Sequence, residues 1–210
     1  MTKNKNHLAY QFRVSLTGIE PAIWRRIQVP AKYSFWDLHV AIQDVMGWLD
    51  YHLHTFRVRQ KHKRKPIEIG IPGDEWDGET VVPGWKVPIT DYFTEPGQVI
   101  EYEYDFGDGW NHEILLEAVL LKERSATYPR CVGGERACPP EDCGSISGYY
   151  NLLEILRDPT HPEYEENIAW LKGHAKNYYP YDPEKFNSEE VHFDNPKRRW
   201  RIAFSQGGEE

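Results

Sequence analysis

Tyr102-Glu-Tyr-Asp-Phe-Gly-Asp-Gly-Trp-Asn-His-Glu-Ile114 is the stretch whose reading decides the fold. Ahead of its glycines, Ile100, Tyr102, Tyr104 and Phe106 fall on one side, with Glu101, Glu103 and Asp105 on the other. That period of two marks a half-buried strand. Gly107-Asp-Gly109 reads as a three-residue hairpin loop, with glycine where a left-handed backbone is needed. Trp110, His112, Ile114, Leu116, Ala118 and Leu120 then share one face of a return strand. This register sets Phe106 against Trp110, Tyr104 against His112, Tyr102 against Ile114, and Glu103 against Glu113 on the polar face. His112 is therefore expected to point inward. A glutamate pair of this kind can hold a metal, share a proton, or be answered by Arg or Lys from a neighbouring strand. A slip of one residue would reverse every facing.

Upstream, Leu8, Tyr10, Phe12, Val14 and Leu16 alternate with Ala9, Gln11, Arg13 and Ser15 in a first strand. Ile23 to Val29 reads as its return, stopped by Pro30. Ser34 is a helix N-cap with Asp37 completing a short capping box. Phe35, Leu38, Ile42, Val45, Met46 and Leu49 follow at helical spacing, and Gly47 stands where a C-terminal glycine belongs. His39 lies beside that stripe as a boundary residue. His52, His54, Phe56 and Val58 share one face of the next strand. Two histidines so spaced can hold one metal, or form a half-buried pair at a strand entrance.

Six of the nine residues from 57 to 65 are basic: Arg57, Arg59, Lys61, Lys63, Arg64 and Lys65. Such a run contacts phosphate or forms a solvated strand end. Residues 70–98 are irregular except around Ile89 to Phe93, and long loops of this kind often serve as lids or binding loops. Downstream, Tyr149, Leu152, Leu153 and Leu156 mark a helix closed by Asp158-Pro159. Pro162, Glu163, Glu165 and Glu166 open another that ends at Gly173. Lys197-Arg-Arg-Trp-Arg201 is basic.

Composition limits the function classes. The chain has 210 residues, enough to bury a proper core, and 14% are aromatic, eight of them Trp. Aromatics in such numbers fill cores or stack on bases. A net charge of −8 and a pI near 5.6 give no overall electrostatic case for nucleic acid or an anionic membrane. No apolar run approaches the roughly 20 residues of a spanning helix. The first residues lack a signal-peptide core, so the cytoplasm is the expected compartment.

Pro129 to Gly144 carries all three cysteines, Cys131, Cys138 and Cys143, in a Gly/Pro-rich segment that reads as a loop. Zinc is the candidate that would order it, with His112 as fourth ligand of a tetrahedral site. His52, His54, Glu141 and Asp142 are alternatives. A structural zinc of this kind contributes on the order of 10 kcal/mol to folding. Buried free thiols, or one disulfide and a spare cysteine, are the competing readings.

Several segments together resemble the plasmid pRiA4b ORF-3-like family. They are Tyr10-Gln-Phe-Arg-Val14, Pro21-Ala-Ile-Trp-Arg-Arg26, Phe35-Trp-Asp-Leu-His39 and His52-Leu-His-Thr-Phe56. Later in the chain come Tyr104-Asp-Phe-Gly-Asp-Gly-Trp-Asn-His112, Cys138-Pro-Pro-Glu-Asp-Cys143-Gly and Asp158-Pro-Thr-His-Pro162. The resemblance implies an α+β, roll-like fold and a bacterial or archaeal setting on plasmids and mobile elements as well as chromosomes, and it implies no reaction. Family members often lack a cysteine at the position of Cys143, which leaves Cys131, Cys138 and His112 as the firmer part of a zinc set. Recombinase chemistry would need a nucleophile among clustered arginines, a pattern this sequence does not show.

The expected architecture is α+β, a mainly antiparallel twisted sheet with one packed helix and a helical C-terminal region. One domain should span residues 8–190, with a sheet-rich part at 8–121, the cysteine loop at 129–144 and a helical part at 147–190. A basic extension and tail follow at 191–210. Three functions fit these residues. The first is a non-catalytic binding or accessory protein of mobile-element type, stabilised by zinc. The second is a metal-dependent hydrolase using Asp105, Asp108, His112, Glu141 and Asp142. The third is a nucleic-acid-binding module that brings 57–65 and 197–201 together.

Overall fold

The computed structural model describes residues 5–60, 64–73 and 81–204. Eight strands form one sheet in the order β5-β4-β3-β6-β7-β1-β2-β8, antiparallel except between β4 and β5. In chain order they are β1 (Leu8–Leu16), β2 (Trp24–Pro30), β3 (His54–Val58), β4 (Ile67–Gly70) and β5 (Val82–Pro83). Then come β6 (Val99–Tyr104), β7 (Trp110–Leu121) and β8 (Arg130–Glu135). Four helices accompany them: α1 (Phe35–Met46), α2 (Ser145–Arg157), α3 (Tyr164–Gly173) and α4 (Pro196–Phe204). The α+β expectation holds. None of the described helices is long and apolar enough to cross a membrane.

The alternation in β1, β6 and β7 places Phe12, Val14, Tyr102, Tyr104, Trp110, Ile114 and Leu116 on one buried face. Helix α1 covers that face, with Phe35 edge-on to Phe56 at 5.0 Å. Its ends follow the sequence closely. Ser34 accepts from the Asp37 amide, Asp37 accepts from the Ser34 amide, and Gly47 closes the helix at φ 84. The opposite face is polar. There Arg26 makes a two-pronged pair with Glu117 at 2.6 and 2.8 Å, and Arg13 and Arg26 both stack on Trp24. Exposed pairs of this type contribute up to about 1 kcal/mol each.

The central hairpin differs from its expected register by two residues. Tyr104 faces Trp110, Tyr102 faces His112, and Glu101 rather than Glu103 faces Glu113. The loop has five residues because Asp105 turns the chain early. Its carboxylate accepts the amides of Gly107 and Asp108, and its carbonyl accepts from Gly109 at 2.6 Å. A two-residue shift preserves facing, so His112 still points inward, whereas Phe106 is left half exposed. Arginines on and just past the neighbouring strand β3 answer the glutamates: Arg57 meets Glu103 at 2.5 Å and Arg59 meets Glu101 at 2.9 Å.

The cysteine segment is not all loop. Residues 130–135 form edge strand β8 beside β2. Gly134 permits this, since a Cβ there would lie 2.8 Å from the Trp24 carbonyl oxygen and 2.5 Å from the Phe186 ring. The basic extension is also part of the fold. Helix α4 lies on α1, and Arg199 reaches Asp44 at 2.9 Å, Asp50 at 3.1 Å and Asp194 at 3.3 Å.

Candidate functional site

Three segments converge at the tip of the central hairpin: the turn 105–109, residues 48–53 after α1, and residues 139–144 before α2. Trp48 donates its indole N–H to the Pro139 carbonyl at 3.0 Å. Glu141 is buried and joins all three. Its carboxylate accepts the Leu49 amide at 2.7 Å and the Tyr104 hydroxyl, while its own amide donates to the Tyr178 hydroxyl at 3.2 Å. Burial and the Glu141 carboxylate push the Tyr104 hydroxyl far above its ordinary value, so it stays a donor. Asp108 accepts the Gly144 amide at 3.1 Å and ties the turn to the same segment.

With those ties in place, His52, Asp105 and Asp142 face one another. Their ligand atoms all lie within 4.8 Å of one another. The His52 Nε2 is 2.9 Å from Asp142 Oδ1 and 3.6 Å from Asp105 Oδ2. His174 approaches the other Asp142 oxygen at 4.0 Å. Asp105 and Asp142 both have positive φ, 56° and 61°. Aspartate tolerates that backbone better than most residues, yet held local strain of this kind concentrates at functional sites. The Asp142 side chain is 49% exposed and Asp105 only 10%, so the group has a solvent side and a protein side. A cavity of about 140 Å³ adjoins it, lined by Asp142, Cys143, Asn151 and Trp170.

The expected ligand set of His112 with Cys131, Cys138 and Cys143 does not assemble as one group. Among the described residues, the group of three or more potential metal ligands within mutual reach is His52, Asp105 and Asp142. Sheet order explains this. Strands β1 and β2 lie between His112 on β7 and Cys131 on β8, a separation of roughly 14 Å at ordinary strand spacing. Cys131 donates instead to the Gly133 carbonyl. All three cysteines are free, and burial raises each thiol, that of Cys138 to about 12. Burial also pushes His112 down to about 4, and its Nδ1 lies 3.4 Å from the Tyr102 carbonyl.

Of the four candidate acids, Asp105 and Asp142 enter the group, while Asp108 and Glu141 hold its segments together. His52 and His54 do not share a face, because β3 begins at His54 and the chain turns at Asp50 (φ 64°). His54 instead stacks on His39 beneath α1, with ring centroids 3.5 Å apart. His39 itself is fully buried, not a boundary residue. The described ends of the two basic runs, Arg57 and Arg59 against residues 197–201, do not converge either. Arg57 and Arg59 are engaged with glutamates, and Arg57 projects from the sheet face opposite α1, whereas α4 lies on α1. Arg64 is exposed and Lys65 is described beside it; Lys61 and Lys63 lie outside the described residues.

Sheet order, the packed helices and the hairpin-tip group describe an α+β protein in which a turn acid is tied to the segment before α2. The chain belongs to the plasmid pRiA4b ORF-3-like protein family, whose model matches residues 8–190. It is 33% identical over 161 residues to the uncharacterized protein y4hQ of Sinorhizobium fredii, covering 76% of this chain and 79% of that one. It is also similar to a crystal structure of a protein of unknown function, MM3350, from Methanosarcina mazei. That match has a TM-score of 0.76 and 41% identity, over 89% of this chain and 98% of the other.

Proposed function

We propose that this protein is a metal-binding accessory protein that holds a divalent cation of the zinc class at His52, Asp105 and Asp142. The observation that carries the reading is the mutual approach of three ligand atoms of the right kinds, an imidazole nitrogen and two carboxylate oxygens. One nitrogen and two oxygens suit zinc and its neighbours better than a hard cation such as calcium, which takes six or more oxygens. His174 stands 4.0 Å from the other Asp142 oxygen, where it can orient that carboxylate. The plasmid origin in the family's name supports an accessory role on mobile DNA.

A second reading, a metal-dependent hydrolase, is favoured by the exposure of Asp142. An open position on that side would leave a bound water free to be activated. Metal analysis and calorimetric zinc titration of chelator-treated protein test the primary reading. The expected result is one equivalent per chain, lost in Asp142→Asn and His52→Ala and retained in Cys138→Ser. Zinc lost in Cys138→Ser but retained in Asp142→Asn would transfer the site to the thiols. No zinc uptake at all would end the metal reading. Zinc-dependent turnover of a simple phosphoester or ester, absent in Asp142→Asn, would select the hydrolase.

A further inference from the structure

A separate cleft opens where α4 meets the start of α1 and the turn at 84–86. Its volume is about 690 Å³, within the range that small ligands occupy. Trp36, Trp85 and Trp200 line it. They are held as a wall by Phe204, whose ring lies 5.5 Å from Trp36 and 5.1 Å from Trp85. Trp36 is further fixed by its indole N–H, which donates to the Pro196 carbonyl at 3.0 Å. The Trp200 indole N–H is buried without an acceptor among the described residues.

The charge around this wall has one dominant sign. Lys32, Lys86, Lys197 and Arg201 all line the cleft and all are exposed. No carboxylate pairs with any of their side chains among the described residues. The one acid on the lining, Asp37, is engaged with the Ser34 amide at 2.8 Å in the capping box. In a chain of net charge −8, four unpaired cations around three indoles form a local exception. Planar faces beside fixed positive charge suit a ligand that is itself planar at one end and anionic at the other.

We propose that this cleft binds a mononucleotide, with its base against the tryptophans and its phosphate among the four cations. A cleft of about 690 Å³ has room for a single nucleotide, whereas a strand needs a groove tracking its backbone. The acidic remainder of the chain further opposes a polyanion. This site is independent of the His52 group, and either can fail without the other.

Calorimetric titration of the full chain with adenosine monophosphate, adenosine, inorganic phosphate and a short oligothymidylate tests the proposal. Adenosine monophosphate should saturate one site and bind at least about tenfold more tightly than adenosine or phosphate alone. The double variant Lys86→Glu, Arg201→Glu should weaken it by about tenfold or more, while Arg59→Gln on the far face leaves it unchanged. Lys32→Glu, outside α4, gives the same reading should the double variant lose that helix. The proposal is overturned by no saturation below about 5 mM, or by phosphate or adenosine binding as well as the nucleotide. Tighter binding of the oligothymidylate, or unchanged affinity in folded charge-reversal variants, would overturn it equally.

Discussion

Among the described residues, two histidine–aspartate centres flank the end of α1, and they differ in access to water. At the hairpin tip, His52 lies between Asp105 and Asp142 at a surface that solvent reaches. Beneath α1, His39 lies between Asp50 and Tyr102, at 2.8 Å from each, stacked on His54 and capped by Arg199. The inner centre is closed by its own partners. Burial would raise the Asp50 carboxyl, but His39 and Arg199 outweigh it and hold it below its ordinary value. For Asp44 burial wins, and the same arginine leaves its carboxyl raised. Similar residue types therefore give a packing element where water is excluded and, in the function proposed above, a metal site where it is admitted.

The largest effect should come from breaking the inner centre. Arg199→Ala leaves Asp44 and Asp50 without their cation and should cost about 3 kcal/mol in urea unfolding. A loss below about 1 kcal/mol would mean that the clamp is a surface pair. Acid should act on a similar scale through His112. Its folded value is near 4, below the unfolded value, so the folded state binds fewer protons between the two. Stability should fall by about 3 kcal/mol as pH drops from about 6.5 toward about 4. His112→Gln should flatten that slope in part, since burial lowers His54 in the same direction.

Tyr104→Phe removes a donor from the buried Glu141 carboxylate and should cost about 2 kcal/mol, measured by thermal or urea unfolding. At the hairpin tip the expectation is the smallest. Asp142→Asn should alter the stability of metal-free protein by no more than about 0.5 kcal/mol while abolishing zinc uptake. A large stability loss there would make the outer centre a packing element like the inner one, and the contrast would disappear.

Much of this architecture is legible in the sequence, because it rests on local rules. The alternation of Leu8 to Leu16 gives β1, and Ser34, Asp37 and Gly47 give both ends of α1. The inward facing of His112 survives even a wrong loop length, because the error is an even number. What escapes depends on long-range contact. Nothing local to Arg130–Glu135 suggests a strand; β2 supplies the partner and Phe186 and Trp24 the reason for Gly134. His52 reads as a strand residue because the turn at Asp50 carries no glycine or proline. The docking of α4 is hidden because Lys197-Arg-Arg-Trp-Arg201 looks like a solvated basic run, yet Arg199 alone turns inward to three carboxylates.

Arg199 meets Asp44 across 155 residues of chain. A contact of that separation closes a very long loop, so it is expected among the later events of folding. Stabilisation gained after the folding barrier acts chiefly on the rate of escape from the native state. The clamp is therefore expected to govern how long the protein stays folded more than how quickly it folds. Arg199→Ala should accelerate unfolding far more than it slows refolding, with α4 as the latch that sets the lifetime of the native state.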